Sequence, residues 1–127
     1  MPKEIVSTDD APAAVGAYSQ GVAANGFVFT AGQIPLTPDG DLLDGPIEEQ
    51  TERSLRNVEA VLAEAGASLA DVVKVTVFLD DIDDFAAMNA TYEEFFSDEP
   101  PARSAVEAGA IPGGADVEIE AVAVVDD

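Results

Sequence analysis

The sequence Val-Val-Lys-Val-Thr-Val-Phe-Leu occupies residues 72–79 and combines β-branched apolar residues with intervening polar ones. This pattern is typical of a β-strand, in which successive side chains point to opposite faces of the sheet. One face is predicted to carry Val73, Val75, Val77 and Leu79. Lys74 and Thr76 are predicted to point the other way. Because the segment is so apolar, we expect it to cross the middle of a sheet.

Helical patterns flank this strand on both sides. On the N-terminal side, apolar residues recur at helical spacing between Pro46, which suits a first helical residue, and Gly66, which suits a helix end. On the C-terminal side a second helix is predicted, with Asp83 or Asp84 as its cap and a Pro-Pro pair at 100–101 beyond its end. Its apolar stripe consists of Phe85, Met88, Tyr92, Phe95 and Phe96.

Four further strands are predicted outside these helices. They are residues 17–22, 27–31, 103–107 and 117–125. Asn25-Gly26 between the first two predicts a hairpin. The order β-β-α-β-α-β-β predicts one α+β domain over residues 1–127, a mixed sheet with two helices packed on one face. Residues 1–10 are predicted to be poorly ordered.

A sheet with both helices on one face leaves its other face uncovered. An acidic protein would hardly leave apolar side chains such as Val73, Val75 and Val77 in water. We therefore expect identical subunits to cover this face in a homo-oligomer.

Histidine and cysteine are both absent from the 127 residues. Their absence excludes disulfides, thiolate nucleophiles, Cys/His zinc sites and a Ser-His-Asp triad. Acid–base chemistry must then rest on carboxylates, on Tyr18 or Tyr92, on a lysine, or on backbone groups acting through water. No metal site is predicted.

The charge of the chain is strongly negative, with 26 acidic residues against five basic ones and a formal net charge of −21. This charge repels nucleic-acid phosphates and anionic membranes, so neither is an expected partner. No apolar run reaches the roughly 18 to 20 residues of a membrane span, and the amino terminus lacks a signal-peptide pattern, which predicts a cytoplasmic protein. Because salt screens such self-repulsion, the composition also predicts a salt-loving source.

Arg103 and Glu118 are the first candidates for a site. Arg103 lies in an extended segment without a helical ion-pair partner, and a guanidinium can grip a carboxylate bidentately. A structural salt bridge is the alternative. Glu118 and Glu120 interrupt an apolar strand on one face, roughly 6.6 Å apart, where one of them could orient or deprotonate a water. A solvated strand edge is the alternative there, and periodicity does not distinguish the two glutamates.

Three other residues are weaker candidates. Asn89 faces inward on the second helix, where an amide needs hydrogen-bond partners, whether from a ligand or from the core. Tyr18 could offer its phenol to a substrate or pack at the rim. Gly32 would let a ligand approach the backbone, or it simply makes room for a bend.

The sequence resembles the RidA/YjgF family in five blocks that keep their order and spacing from about Ala11 to Val125. These blocks are Val15–Gly21, Thr30–Pro35, Asn89–Phe96, Pro101–Ser104 and Val117–Ala121. The resemblance implies a chorismate-mutase-like fold assembled as a homotrimer, with ligand clefts between neighbouring subunits. It also implies hydrolysis of 2-aminoacrylate and related enamine or imine acids, released by pyridoxal-phosphate enzymes, to 2-keto acids and ammonium. No cofactor is implied.

The resemblance also implies roles for individual residues. Arg103 matches the arginine that defines the deaminase branch, and Glu118 rather than Glu120 matches the glutamate associated with the water. The other matched cleft residues are Tyr18, Gly32 and Asn89.

The sequence departs from the family pattern at two cleft positions. Ala105 replaces a frequent cysteine, which removes a thiol but keeps the backbone. Ala31 replaces a frequent serine, which removes a hydroxyl and affects which substrate side chains fit.

Two alternative functions stay open at this point. A trimer of this fold could bind keto acids or amino acids without turnover, as a sensor or adaptor. Ribonuclease activity, claimed for some relatives, conflicts with a charge of −21 and no basic patch.

Overall fold

The computed structural model describes residues 2–125 and is built around one sheet of six strands. The strands are β1 (Glu4–Val6), β2 (Gly21–Ala24), β3 (Phe27–Thr30), β4 (Val72–Leu79), β5 (Ala102–Glu107) and β6 (Val117–Val124). Their order in the sheet is β1-β2-β3-β6-β4-β5. Two α-helices, α1 (Ile47–Glu64) and α2 (Phe85–Phe95), follow β3 and β4. The predicted α+β class is confirmed.

The connections explain why both helices cover the same face. β3 and β4 are each antiparallel to β6, which lies between them, so they run parallel to each other. β4 and β5 are also parallel. The chain therefore makes two crossovers through a helix, both advancing in the same direction across the sheet. Right-handed crossovers in one direction put both helices on one side.

The core lies between the helices and this covered face of the sheet. Val75, Val77 and Leu79 of β4 are fully buried there, packed in one cluster with helix residues such as Leu55 and Met88. Our expectation that the apolar face of β4 would be left open is therefore wrong at Val75 and Val77. The helices, not neighbouring subunits, cover it.

Val73 departs from the predicted alternation. The pairing of β4 with β6 shifts register between Val72 and Lys74, so Val72 is buried and Val73 is 47% exposed. The irregularity puts two consecutive residues opposite one partner, which ends the simple alternation of faces. Periodicity predicts Val73 on the same face as Val75 and Val77 because it assumes an unbroken strand.

The second face of the sheet has no helix over it, as predicted, but its composition differs from the prediction. Phe27 and Phe29 of β3 are 42% and 45% exposed, and their ring centroids lie 6.1 Å apart. Lys74, Thr76 and half-buried glutamates of β6 share this face with them. We call this surface the uncovered face.

The N-terminal region also differs from the prediction. Residues 4–6 were predicted to be poorly ordered, but they form the edge strand β1, which pairs with β2 from Glu4 to Val6. The strand β2 begins at Gly21 and not at residue 17, so Tyr18 precedes it. The predicted hairpin between β2 and β3 is confirmed, with Asn25 and Gly26 both at positive φ in its turn.

Among residues 2–125, neither helix combines the length and apolar character that crossing a membrane would need.

Candidate functional site

All of the predicted site residues except Ala105 line one of two separate cavities. The first, which we call the carboxylate cavity, has a volume of about 440 Å³ and is lined by Tyr18, Ala31, Gly32 and Glu118, with apolar residues around them. The second, the arginine cavity, has a volume of about 340 Å³ and is lined by Asn89 and Arg103. The two linings share no residue.

Close approach between backbone and side chain shapes the carboxylate cavity. Gly32 follows the end of β3, and the isolated bridge between Gln33 and Ile119 holds it beside β6. A Cβ atom at Gly32 would overlap the carboxylate of Glu118 and lie 2.8 Å from its Cδ. Glycine is therefore the residue that leaves room for Glu118 at this point.

Glu118 has an electrostatic setting suited to proton transfer. Partial burial raises the pKa of its carboxyl group, and the neighbouring negative charge of Glu120 raises it further. Because ionised carboxylates are costly to desolvate, such a group holds protons at a higher pH than an exposed glutamate does. A raised carboxyl pKa is typical of catalytic acids and bases, although structural carboxylates can share it.

Tyr18 lies on the loop that closes one side of the carboxylate cavity. Its side chain is 54% exposed, so its phenol is accessible at the rim. The loop is anchored by Gln20, whose buried amide exchanges hydrogen bonds with the backbone of Thr8 and also donates to the carbonyl oxygens of Ala11 and Pro12. The sequence does not predict this role for Gln20, because a single glutamine carries no sign that it will bond to backbone groups 8 to 12 residues earlier in the chain.

Arg103 lies on the edge strand β5 and contacts α2. Its Nη1 donates a hydrogen bond of 2.6 Å to Oδ1 of Asn89. Its Cζ is 4.6 Å from the ring centroid of Tyr92 and 5.3 Å from that of Phe85. Among residues 2–125 the ion pairs within 4.0 Å belong to Arg56, not to Arg103. Among these residues, therefore, no structural salt bridge accounts for Arg103.

Asn89 is half-buried, and its amide makes its hydrogen bonds with the side chains of Arg103 and Glu93. Its Oδ1 accepts from Arg103, and its Nδ2 donates to Oε1 of Glu93 at 3.0 Å. The amide thus presents its oxygen to the guanidinium. The sequence predicts Phe85 and Tyr92 as core residues, with Tyr92 also open to acid–base chemistry. It does not predict their contact with Arg103, because an aromatic stripe at helical spacing is the ordinary pattern of a packed helix face.

The two cavities lie on opposite faces of the sheet. Arg103 is paired with Val75, whose side chain points toward the helices, and Glu118 is paired with Phe78. Paired residues share a face, and Val75 and Phe78 are an odd number of residues apart on one strand. The guanidinium and the carboxylate therefore do not meet within one chain.

Comparison with known proteins identifies the family. The family model described as Endoribonuclease L-PSP matches residues 8–125. A RutC family protein of Pyrococcus abyssi is 50% identical over 124 residues, which cover 97% of this chain and 98% of the relative. The chain belongs to the RidA/YjgF family.

Two further relatives of the RidA/YjgF family bear on function. A protein of Salmonella typhimurium named 2-iminobutanoate/2-iminopropanoate deaminase is 45% identical over 122 residues, which cover 94% of this chain and 95% of the relative. The crystal structure of Escherichia coli TdcF with bound serine superposes with a TM-score of 0.92 at 41% identity, covering 97% and 99% of the two chains. The family therefore contains proteins with different names, among them relatives from Salmonella typhimurium and Escherichia coli that are named as imine deaminases.

The two departures from the RidA/YjgF pattern lie in different surroundings. Ala31, which the sequence predicts to bind substrate, lines the carboxylate cavity. Ala105 lines neither cavity; it is partly buried against the main core. Residue 105 is on the same face of the sheet as Arg103, because it pairs with Val77.

Within residues 2–125, no group of three or more acidic side chains is arranged so that it could hold a metal ion.

Proposed function

We propose that this protein hydrolyses enamine and imine acids, such as 2-aminoacrylate and its relatives, to 2-keto acids and ammonium. The observation that carries the proposal is Arg103. In a chain with 26 acidic residues, its guanidinium has no carboxylate within 4.0 Å among residues 2–125, and it lines a cavity. Because guanidinium binds carboxylate well, this arginine fits the carboxylate of a ligand. The relative named as an imine deaminase supports the choice of substrate.

The catalytic cleft is proposed to form between neighbouring subunits of a homotrimer. Arg103 and Glu118 lie on opposite faces of one sheet, so one substrate can meet both only if they come from different chains. The uncovered face, with its exposed Phe27 and Phe29, offers an apolar surface for such an assembly. The threefold symmetry itself follows from the family resemblance.

Arg103 is proposed to fix the substrate carboxylate while Asn89 holds one edge of the guanidinium. With the carboxylate fixed, the imine carbon lies over the carboxylate cavity of the neighbouring chain. Orientation of this kind can supply much of the acceleration for a reaction that already proceeds in water. An enamine enters the same route after it takes up a proton on carbon and becomes the imine.

Glu118 is proposed to activate the attacking water. Attack is on the imine protonated on nitrogen: as the oxygen of water bonds to its carbon, the C=N electron pair moves to nitrogen and Glu118 accepts a proton from the water, a task that the raised pKa of its carboxyl group suits. The resulting carbinolamine loses its nitrogen as ammonia, which takes up the proton and leaves as ammonium, and the carbonyl of the keto acid forms. Tyr18 at the rim is proposed to donate its phenolic hydrogen to the substrate, and Gly32 and Ala31 line the space beside it.

The route uses only the substrate, water and side chains of the protein, so no cofactor is proposed. Pyridoxal-phosphate enzymes that release enamines are the proposed source of substrate. A cytoplasmic location and a salt-rich environment remain predictions from the sequence.

A second candidate function is ligand binding without turnover, in a trimer that acts as a sensor or adaptor. Its support is the relative whose structure holds serine, an amino acid with the same carboxylate and a comparable size. Ribonuclease activity has weaker support. The family description mentions it, but five basic residues against 26 acidic ones give phosphates little to bind.

A coupled assay separates these functions. A serine or threonine dehydratase generates the imine, and keto-acid release is followed with and without the purified protein, at low and at high salt. The deaminase proposal expects faster release under at least one salt condition, while pure binding expects none. Protein that retains its assembled size yet never accelerates release would rule the deaminase out.

A further inference from the structure

The surroundings of Arg103 form a single stripe on α2. Phe85, Asn89 and Tyr92 are spaced by four and three residues, so they lie on the same side of the helix. Two of them place aromatic rings against the guanidinium, and the third accepts its hydrogen bond. The arginine therefore rests on α2 although it belongs to β5.

Tyr92 is the most buried residue of this stripe. Its side chain is only 4% exposed and belongs to the main core cluster. Its ring lies 4.7 Å from the ring of Phe96 by centroid distance. Of the two rings near Arg103, that of Tyr92 is also the closer, at 4.6 Å. A ring fixed in the core in this way offers a constant surface beneath a guanidinium.

Asn89 holds the guanidinium through a hydrogen bond to Nη1, and Glu93 in turn orients the amide of Asn89. Because Nδ2 of Asn89 donates to Glu93, the amide oxygen is the atom that faces Arg103. The carboxylate of Glu93 lines the same cavity but is not within 4.0 Å of the guanidinium. Arg103 is thus held by neutral groups, and its charge stays available.

We propose that Tyr92 is a positioning residue, whose ring holds the guanidinium of Arg103 ready to bind a ligand carboxylate. Long arginine side chains lose rotamer freedom when they bind, and a side chain that is already held loses less. An aromatic face attracts a guanidinium without neutralising it, unlike an aspartate or glutamate. The identity of the carboxylate ligand rests on the proposed function, but the holding of Arg103 does not.

The test compares Tyr92→Phe, Tyr92→Leu and Met88→Ala. The phenylalanine variant keeps the ring and the leucine variant removes it. The Met88 variant reduces core packing on the same helix, at a fully buried residue that does not line the arginine cavity. Removal of the ring should raise KM by about three- to tenfold, the equivalent of about 0.7 to 1.4 kcal/mol, with a smaller change in kcat. Tyr92→Phe and Met88→Ala should keep KM within about twofold of wild type.

Two measurements remain informative without turnover. The first is the dissociation constant of 2-oxobutanoate, a keto acid with the required carboxylate, which should rise in Tyr92→Leu by the same factor as KM. The second is the NMR signal of the Arg103 Nε–H group, assigned by its loss in Arg103→Lys. The ring current should shift this signal in wild type and in Tyr92→Phe, and the shift should fall in Tyr92→Leu to the part contributed by Phe85.

The outcomes separate this proposal from the deaminase proposal. If no imine is hydrolysed but Tyr92→Leu still weakens 2-oxobutanoate binding and reduces the shift, the positioning role stands and the deaminase fails. If Tyr92→Leu folds, binds 2-oxobutanoate like wild type and keeps the Arg103 signal unchanged, Tyr92 is only a core residue. Equal weakening in Met88→Ala would also overturn the proposal, because loss of packing alone would then explain the effect.

Discussion

The carboxylate cavity and the arginine cavity are built by different means. Glu118 is held against the backbone at Gly32, where the absence of a side chain makes the room. Arg103 is held by side chains of a helix, two aromatic rings and an amide oxygen. The carboxylate cavity depends on the close approach of the backbone at Gly32 to β6. The arginine cavity depends on which side chains α2 presents to Arg103.

The two cavities share one property, which is an unpaired charge. Neither the carboxylate of Glu118 nor the guanidinium of Arg103 has an oppositely charged partner within 4.0 Å among residues 2–125. The charges have opposite signs and lie on opposite faces of the sheet. Each cavity therefore has the character of half a site, and the proposed assembly would bring the halves together.

Of the substitutions in the two cavities, loss of the Arg103 guanidinium should lower activity most. Arg103→Ala is expected to lower kcat/KM at least about 100-fold, since charge-assisted hydrogen bonds contribute about 1.5 to 3 kcal/mol each. Arg103→Lys should recover only part of the activity, because an ammonium lacks the planar fork. The control is Arg56→Ala, which removes an exposed arginine that lies in neither of the two cavities.

Size-exclusion chromatography of Arg103→Ala distinguishes a ligand-binding role from a structural one. We expect an unchanged assembled size. A variant that dissociates would mean that Arg103 holds subunits together rather than substrate.

Mixing two inactive variants tests whether the halves come from different chains. Arg103→Ala and Glu118→Gln are unfolded together and refolded as mixed trimers. If each cleft takes one residue from each neighbour, random mixing leaves about a quarter of the clefts intact and restores about a quarter of wild-type activity. Each variant refolded alone is the control. Mixtures as inactive as the single variants would show that both residues act from the same chain.

The fold was largely predictable because its long elements have strong periodicity. The strand at residues 72–79 and both helices carry enough alternating or helical positions to identify them. The three-residue strand at Glu4–Val6 is too short to show a period, and it forms only because β2 offers an edge. The exposure of Val73 depends on a register shift between two strands, which one strand's sequence does not contain.

The sequence predicts which residues belong to the candidate site, but not that they lie on opposite faces of the sheet. Arg103 and Glu118 could be selected from their chemistry and from the family resemblance. Their separation onto opposite faces follows from the registers of β5 and β6 against β4, which the sequence of a single strand does not contain. Tyr92 was read as core, correctly, and its second contact with Arg103 emerges only when β5 packs beside α2.

Gly32→Ala perturbs the carboxylate cavity alone and should have an intermediate effect. The added methyl group would displace the Glu118 carboxylate, which lies at the flexible end of its side chain, so the protein should still fold. We expect kcat to fall about tenfold or more, because small misplacements of a catalytic group are costly. Gly109→Ala is the matched control, since no atom lies within 4 Å of its added carbon. Equal kcat in the two variants would contradict a catalytic role for Glu118.

The smallest expected effect is that of Glu120→Gln, which should shift the pH dependence of kcat through the pKa of Glu118. The negative charge of Glu120 helps to raise the pKa of Glu118, so Glu120→Gln should lower that pKa. Activity that requires ionised Glu118 disappears as pH falls through this pKa, so the acid limb of the kcat profile should move to lower pH. The maximal rate should stay within about twofold of wild type. An acid limb that does not move, or that moves to higher pH, would exclude Glu118 as the group that accepts the proton from water.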